Sequence, residues 1–222
     1  MRALKIGVLV SGRGSNLEAI YGAIQSGTLH ATIAVVVSNK KEAPGLVRAK
    51  AEGLPCVFHD PKPFAGEANS REAYDQALVE ILENHGVDLV ILAGYMRIVT
   101  STLINRYQWK IMNIHPSLLP AFPGLSAQQQ ALDWGVKMSG CTVHFVTEGV
   151  DEGPIILQAA VPVGEGDTSD SLSDRILKEE HRIYPEAIQL FAEKRLQIQG
   201  RQVKILPQSV EEVTSLNPKT CV

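Results

Sequence analysis

Residues 4–16 read LKIGVLVSGRGSN, an apolar run followed by a glycine-rich turn. The continuous apolar stretch Leu4–Val10 is typical of a strand that is buried on both faces of a parallel sheet. Behind the turn, residues Leu17–Gln25 have the spacing of an amphipathic helix. A strand, a tight turn and a helix in this order begin a βαβ unit, so the stretch predicts an α/β fold with a parallel sheet.

The same alternation of strand and helix continues through the first half of the chain. Each predicted strand is a short apolar run bounded by turn residues, and each predicted helix has apolar residues at helical spacing. The pattern predicts a doubly wound, mostly parallel sheet flanked by helices, with a Rossmann-type N-terminal half. The predicted strands are Thr32–Val37, Pro55–Phe58 and Val87–Ala93, and the predicted helices are Pro44–Glu52 and Ser70–Asn84.

The character of the sequence changes after Gly94, where short strands flank loops rich in proline or glycine. The segment Ser171–Asp174 matches a helix-start signal and precedes a long helix, which we expect to bend or break near Pro185. We predict a single domain over residues 1–206 and a flexible C-terminal tail over residues 207–222, because the tail is polar and unperiodic. The second half is predicted to contain strands Ile111–Ile114, Cys141–Val146 and Ile155–Val163 and a helix over Ala127–Trp134.

The composition disfavours several classes of protein. Of the 222 residues, 45% are hydrophobic and 20% are charged, which suits a globular core and argues against both wholesale disorder and a membrane protein. The 21 Lys and Arg residues are outnumbered by 24 Asp and Glu residues. This slightly negative net charge disfavours binding to a nucleic acid, which is itself negatively charged. The short apolar run at the N-terminus lacks the pattern of a secretory signal, so we expect a cytoplasmic protein.

The three cysteines, Cys56, Cys141 and Cys221, are widely separated and form no CxxC motif or Cys/His cluster. This spacing argues against a disulfide framework and against a structural zinc site. Small phosphorylated metabolites remain possible partners. The sequence leaves open whether the protein is a monomer or a homodimer.

The turn Ser11–Asn16 is the first segment that carries chemistry. A strand that ends in a glycine-rich turn points the free N–H groups of the following helix at an anion, and phosphate is the natural ligand. A dinucleotide fingerprint is a weaker match, because Leu17 occupies the position of the third glycine and the second predicted strand ends without an acidic residue. The structural alternative is a tight turn in which Ser15 or Asn16 caps the helix.

Asn113 and His115 form the second candidate site. The period of a strand points both side chains to the same side. An amide can donate a hydrogen bond to an oxyanion and an imidazole can exchange a proton near neutral pH, a pair that suits acyl transfer. The alternative is a structural histidine beside a proline turn. No Gly-x-Ser-x-Gly elbow and no adjacent Cys and His are present, so the sequence offers little support for a covalent acyl-enzyme.

Asp151 lies in a predicted turn between two apolar strands. A carboxylate beside an imidazole favours the charged ring and holds its orientation, whereas an Asp before Gly-Pro is also ordinary turn chemistry. His144, in the strand before this turn, is expected to have a structural hydrogen-bonding role.

Five segments stand in a particular order: SGRGSN at residues 11–16, AGYMRI at 93–98, NIHPSLLP at 113–120, FPG at 122–124 and DEGP at 151–154. Together they resemble the phosphoribosylglycinamide formyltransferase family of purine biosynthesis, and the resemblance extends from about Leu4 to Arg195. It implies an enzyme that transfers the formyl group of 10-formyltetrahydrofolate to the amine of 5'-phosphoribosylglycinamide by direct attack, without a metal.

The resemblance also implies three groups of site residues. The catalytic group is Asn113, His115 and Asp151, with His115 as general acid toward the leaving folate nitrogen. The ribonucleotide would be bound by Gly14, Ser15, Asn16 and Glu180. The folate would be bound by Arg71, Met96, Arg97, Ile98, Val99, Asn113, Thr147, Glu148, Gly149, Val150 and Asp151.

Two other functions remain open from the sequence. A 10-formyltetrahydrofolate deformylase would use the same catalytic residues with water in place of the amine, and a non-catalytic nucleotide-binding module would need only the glycine-rich turn. The chain also departs from the family's pattern. Ser126 and Gln129 lie in a run where some relatives carry His or Arg, and Leu177 replaces a polar residue of some relatives that can reach the ribonucleotide.

Overall fold

The computed structural model describes residues 2–66 and 69–208. Residues 209–222, most of the predicted tail, lie outside the described residues, so the division into a domain and a flexible tail stays a prediction. The strands are β1 (Leu4–Val10), β2 (Ala31–Ser38), β3 (Cys56–Phe58), β4 (Leu89–Leu92), β5 (Ile111–His115), β6 (Met138–Phe145), β7 (Ile155–Pro162), β8 (Leu196–Gln199) and β9 (Gln202–Ile205). The helices are α1 (Ser15–Gln25), α2 (Pro44–Ala51), α3 (Ser70–Asn84), α4 (Ser101–Arg106), α5 (Ala127–Trp134) and α6 (Ser169–Ala192), with a 3-10 turn at Lys62–Phe64.

The nine strands within the described residues belong to one sheet, in the order β3-β2-β1-β4-β5-β6-β7-β9-β8. The half from β3 to β5 is parallel throughout, which confirms the predicted doubly wound α/β architecture. Helices cover both faces of this half: Val8 and Val10 of β1 belong to the core under α1, α2 and α6, whereas Leu9 belongs to the core under α3 and α4. Burial on both faces is the reason that the parallel strands are continuous apolar runs.

The other half of the sheet is mostly antiparallel, because β6 pairs antiparallel with both β5 and β7. A hairpin of β8 and β9 then extends the sheet, with one parallel pairing between Ile155 and Gln202. The sequence analysis did not predict this hairpin or α4. Both are short: α4 has only six residues, and the alternation of apolar and polar residues in β8 and β9 extends over only four residues each.

The predicted start of α6 and a break at Pro185 were wrong. The helix begins at Ser169, not near Ser171, because Thr168 is the N-cap and accepts a hydrogen bond of 3.2 Å from the Ser171 N–H. It also continues through Pro185 to Ala192 without a break. A proline inside a helix costs about 3 kcal/mol, and each apolar side chain buried on α6 contributes about 1.5–3 kcal/mol. The apolar stripe of α6, which is buried on both sides of Pro185, therefore outweighs the lost hydrogen bond.

Candidate active site

Asn113 and His115 lie at the carboxyl end of β5 with their side chains on the same side of the strand. The antiparallel neighbour β6 places His144 opposite Asn113 and Thr142 opposite His115. His115 is 5% exposed and Asn113 is half-buried. The predicted juxtaposition on one face of a strand is therefore present, and β6 adds a second imidazole to it.

The imidazole of His115 is held at both nitrogen atoms. Nε2 donates a hydrogen bond of 2.8 Å to the carbonyl oxygen of Phe122, because a carbonyl has no hydrogen to give. Nδ1 lies 3.2 Å from Oδ2 of Asp151. Both neighbours of the ring are hydrogen-bond acceptors, the Phe122 carbonyl and the Asp151 carboxylate, and together they fix the orientation of the imidazole.

Asp151 is fixed from several sides in the loop between β6 and β7. Its Oδ2 accepts a hydrogen bond of 2.8 Å from the Gly124 N–H, and its Oδ1 lies 3.7 Å from Nε2 of His144. Burial raises the pKa of Asp151, but the His144 ring, the Gly124 N–H and the positive potential of His115 outweigh it, so the pKa lies below its ordinary value. Asp151 is thus a carboxylate at neutral pH.

The backbone of this loop leaves little room for other residues. Asp151 itself has a positive φ of 56°, a conformation that is uncommon outside glycine. At Gly153 an added Cβ would lie 1.6 Å from the carbonyl oxygen of Phe145, so only glycine fits there. These two positions determine where the Asp151 carboxylate points.

His144 holds the amide of Asn113. Its Nδ1 donates to the Phe145 carbonyl oxygen at 2.9 Å, and its Nε2 lies 3.2 Å from Nδ2 of Asn113. In the neutral ring, Nε2 therefore accepts one amide hydrogen of Asn113, and the second amide hydrogen remains available as a donor. The hydrogen-bonding role expected for His144 is met, and the sequence did not indicate that its partner is Asn113.

The glycine-rich turn leads directly into α1. Gly14 is the N-cap, with a φ of 79°, and no side chain caps the helix. The alternative in which Ser15 or Asn16 caps the helix is therefore wrong, because both are already helical residues. A Cβ on Gly14 would lie 2.5 Å from the Cα of Gly45, so the turn packs against α2 through two glycines. The first N–H groups of α1 have no partner within the helix, which is the arrangement that binds phosphate.

Asn16 and Glu180 meet beside this turn. Nδ2 of Asn16 donates to Oε2 of Glu180 at 2.7 Å, and the two residues are only 8% and 7% exposed. Burial raises the pKa of Glu180 more than the hydrogen bond from Asn16 lowers it. Oδ1 of Asn16 is buried without a hydrogen-bond partner. The buried Asn16 oxygen and the buried Glu180 carboxyl group beside the glycine-rich turn suit a ligand that carries N–H or O–H donors.

The segment after β4 lies next to the same turn. The Ser11 hydroxyl donates to Oδ1 of Asn39 at 2.6 Å and accepts the Met96 N–H at 2.8 Å. Met96 and Ile98 are 64% and 59% exposed, unusually high for large apolar side chains and suited to an aromatic ligand. The bridging role of Ser11 could not be predicted from the sequence, since no spacing rule links it to Met96.

The other residues predicted to bind folate form no hydrogen bond or ion pair with Asn113, His115 or Asp151 within the described residues. Val99 is buried, and Arg71 is exposed in the first turn of α3, with no hydrogen bond or ion pair among the described residues. Thr147–Val150 are half-buried or exposed in the loop that leads to Asp151. Among the departures from the family's pattern, Gln129 donates to Asp133 along α5, at the surface.

Ser126 is the N-cap of α5, and Leu177 is half-buried on α6. Over residues 2–66 and 69–208, no group of three His, Cys, Asp or Glu side chains is arranged to hold a metal ion. In the same ranges, none of the helices combines the length and the apolar character needed to cross a membrane.

A glycine-rich turn before α1 and an amide–imidazole–carboxylate cluster on one doubly wound sheet are typical of an enzyme that transfers a chemical group. The model of the family described as formyl transferase matches residues 4–188. The phosphoribosylglycinamide formyltransferase of Escherichia coli is 44% identical over 195 residues, which is 88% of this chain and 90% of that protein. The chain belongs to the phosphoribosylglycinamide formyltransferase family.

Solved structures agree with this assignment. Glycinamide ribonucleotide transformylase 1 from Symbiobacterium toebii is 57% identical, has a TM-score of 0.89 and is matched over 93% of this chain and 95% of that one. A formyltetrahydrofolate deformylase from Pseudomonas syringae has a TM-score of 0.84 at 26% identity, with 92% of this chain covering 66% of that one.

Much longer proteins contain a similar segment. The trifunctional purine biosynthetic protein adenosine-3 of Gallus gallus is 45% identical over 195 residues, which is 88% of this chain. This chain spans 19% of the length of that relative.

Proposed function

We propose that this chain transfers the formyl group of 10-formyltetrahydrofolate to the amine of 5'-phosphoribosylglycinamide, a step of purine biosynthesis. The observation that carries the proposal is the contact of 3.2 Å between the Asp151 carboxylate and Nδ1 of His115, on the strand end that also presents Asn113. A neutral amide donor, a proton-carrying imidazole and a fixed carboxylate are the groups that direct acyl transfer to an amine requires.

The reaction joins the amine nitrogen to the formyl carbon and breaks the bond between that carbon and N10 of the folate. Asn113 donates the free amide hydrogen left by His144 to the oxyanion, and one such donor is worth about 10² to 10³ in rate. His115 transfers its Nε2 proton to N10, after exchanging its hydrogen bond from the Phe122 carbonyl to the substrate. Asp151 stabilises the charged ring, and the proton lost by the amine leaves through water.

The two substrates bind to different parts of the chain in this proposal. Gly14, Ser15 and the other free N–H groups of α1 hold the ribonucleotide phosphate, and Asn16 and Glu180 contact the glycinamide ribonucleotide. The folate lies against Met96, Ile98 and the loop Thr147–Val150. We also propose that the protein acts in the cytoplasm as a monomer or a homodimer, with small molecules and not nucleic acid as its partners.

An assay for the release of tetrahydrofolate tests the proposal. The purified protein is mixed with 10-formyltetrahydrofolate, with and without the glycinamide ribonucleotide, and the His115→Ala variant is measured beside it. We expect tetrahydrofolate only when the ribonucleotide is present, and a loss of turnover by about 10² or more in the variant, which still binds folate.

The other outcomes of this assay point to other functions. Release at a comparable rate without the ribonucleotide would identify a deformylase, in which water replaces the amine. No release under either condition would leave a binding module that uses only the glycine-rich turn. A His115→Ala variant with near wild-type turnover would remove His115 from the mechanism while leaving the substrate assignment in place.

A further inference from the structure

Arg97 lies next to Met96 and Ile98, whose side chains are exposed. Its guanidinium group lies over an aromatic face, with the guanidinium carbon 4.1 Å from the centre of the Tyr74 ring. It forms no ion pair or hydrogen bond within residues 2–66 and 69–208, so its N–H groups are available to an anion. A guanidinium stacked on a ring keeps its planar edge free for carboxylate oxygens.

The Tyr74 ring is tightly packed. It is fully buried, and the His59 ring stacks on it with centres 3.9 Å apart at an interplanar angle of 28°. Two planar groups that both lie about 4 Å from one ring centre do not fit side by side, so Arg97 and His59 cover opposite faces. Phe64 closes one edge of the ring, with centres 5.4 Å apart.

Hydrogen bonds fix the remaining freedom of Tyr74 and His59. The Tyr74 hydroxyl donates to the His59 carbonyl oxygen at 3.1 Å and accepts from the Tyr95 hydroxyl at 3.2 Å. Nε2 of His59 in turn donates to the Tyr74 carbonyl oxygen at 2.9 Å. Burial is the main cause that lowers the pKa of His59, so its ring is neutral and does not repel Arg97 through the tyrosine.

We propose that Tyr74 is a positioning residue for Arg97, whose guanidinium it holds in place to bind the glutamate carboxylates of the formyl donor. The inference rests on the proposed function, because it takes the folate as the ligand of the segment after β4. The folate's glutamate supplies two carboxylates, and a stacked guanidinium binds carboxylate through two parallel N–H groups. Tyr74 touches neither substrate and acts through Arg97 alone.

The test separates the ring face of Tyr74 from its hydroxyl group. In Tyr74→Leu, the KM for 10-formyltetrahydrofolate should rise by about 5- to 30-fold, the worth of a desolvated cation–π contact, while kcat changes less than twofold. In Tyr74→Phe the KM should stay within twofold of the wild type, because the ring face remains. Fluorinated phenylalanines at position 74, which keep the shape and weaken the ring's negative face, should raise KM stepwise.

Two controls make the effect specific. A formyl donor that lacks the glutamate should show the same KM with the wild type and with Tyr74→Leu. Tyr107→Leu is the matched variant: Tyr107 is 4% exposed in the same core and also has an arginine over its ring, Arg106 at 5.7 Å, but it lies outside the proposed folate site. The KM of the Tyr107→Leu variant for 10-formyltetrahydrofolate should equal that of the wild type.

Several results would overturn the inference. An equal rise of KM in Tyr74→Phe and Tyr74→Leu would assign the effect to the hydroxyl group, and an equal rise with the donor lacking glutamate would exclude an action through the carboxylates. If Tyr74→Leu does not fold, the fluorinated series decides, and a KM independent of fluorination refutes the proposal. Failure of the proposed function is different, because the wild type itself would then form no product.

Discussion

Replacing Asp151 with asparagine removes one charge and almost nothing else. The side chain keeps its size, and its amide oxygen can still accept the Gly124 N–H, which lies 2.8 Å from Oδ2. The lost interaction is the attraction between the carboxylate and the protonated ring of His115, at 3.2 Å. Asp151→Asn therefore tests whether the reaction needs the charge.

The expected effect follows from that distance. Two unit charges 3.2 Å apart attract by about 5 kcal/mol at an effective dielectric constant of about 20. A well-placed general acid contributes about 10² to 10⁴ in rate, or about 3–5 kcal/mol, so the loss of the charge is large enough to remove this contribution. We expect kcat to fall by about 10² to 10⁴ and the KM for the folate to change by less than threefold.

The assay is steady-state release of tetrahydrofolate at saturating ribonucleotide, with folate binding measured separately. Asp167→Asn is the matched control, because Asp167 is also a half-buried, paired carboxylate, 2.7 Å from Arg175, but lies in the loop before α6. A kcat of Asp151→Asn within threefold of the wild type would refute the electrostatic role of Asp151. An equal loss in Asp167→Asn would show that the effect is one of folding.

Three further predictions concern the surroundings of the catalytic cluster. Burial raises the pKa of Glu180 above its unfolded value of about 4.3. The protonated side chain therefore stabilises the fold fully below that pH, and this stabilisation is lost as the pH rises through the folded-state pKa. Glu180→Gln should have a higher melting temperature than the wild type at pH 8, and the two melting temperatures should converge at pH 4. His144→Phe releases the Asn113 amide, so kcat should fall by up to about 10² to 10³ with unchanged folate binding, and an undiminished kcat would exclude a role for His144 in positioning that donor. Gly153→Ala places a Cβ against a backbone carbonyl oxygen and should lower both the melting temperature and kcat, whereas Gly22→Ala, which has open space within α1, should leave kcat unchanged; equal melting temperatures for the two variants would contradict the packing argument.

The elements of the parallel half could be read from the sequence because their cause is local. A strand buried on both faces is apolar along its whole length, and β1 occupies the predicted residues Leu4–Val10. The break predicted in α6 at Pro185 is absent, because burial of the helix on the sheet contributes more free energy than one missing hydrogen bond costs. The hairpin of β8 and β9 was missed although its apolar and polar residues alternate, which is a local strand signal.

By itself, the sequence determined the parts of the site that lie close together in the chain. Asn113 and His115 share one side of β5 because side chains alternate along a strand, and the free N–H groups after Gly14 follow from a glycine-rich turn before a helix. Both results need only local backbone geometry, which short-range sequence patterns specify.

Only the tertiary structure decided the contacts between distant segments. Asn16 and Glu180 are 164 residues apart in the chain, and Asp151 reaches Gly124 from 27 residues away. The stacking of Arg97 on Tyr74 depends equally on how α3 packs beside the end of β4. Such contacts depend on the packing of helices and loops over the whole sheet, so no local pattern encodes the distance of 3.2 Å between Asp151 and His115.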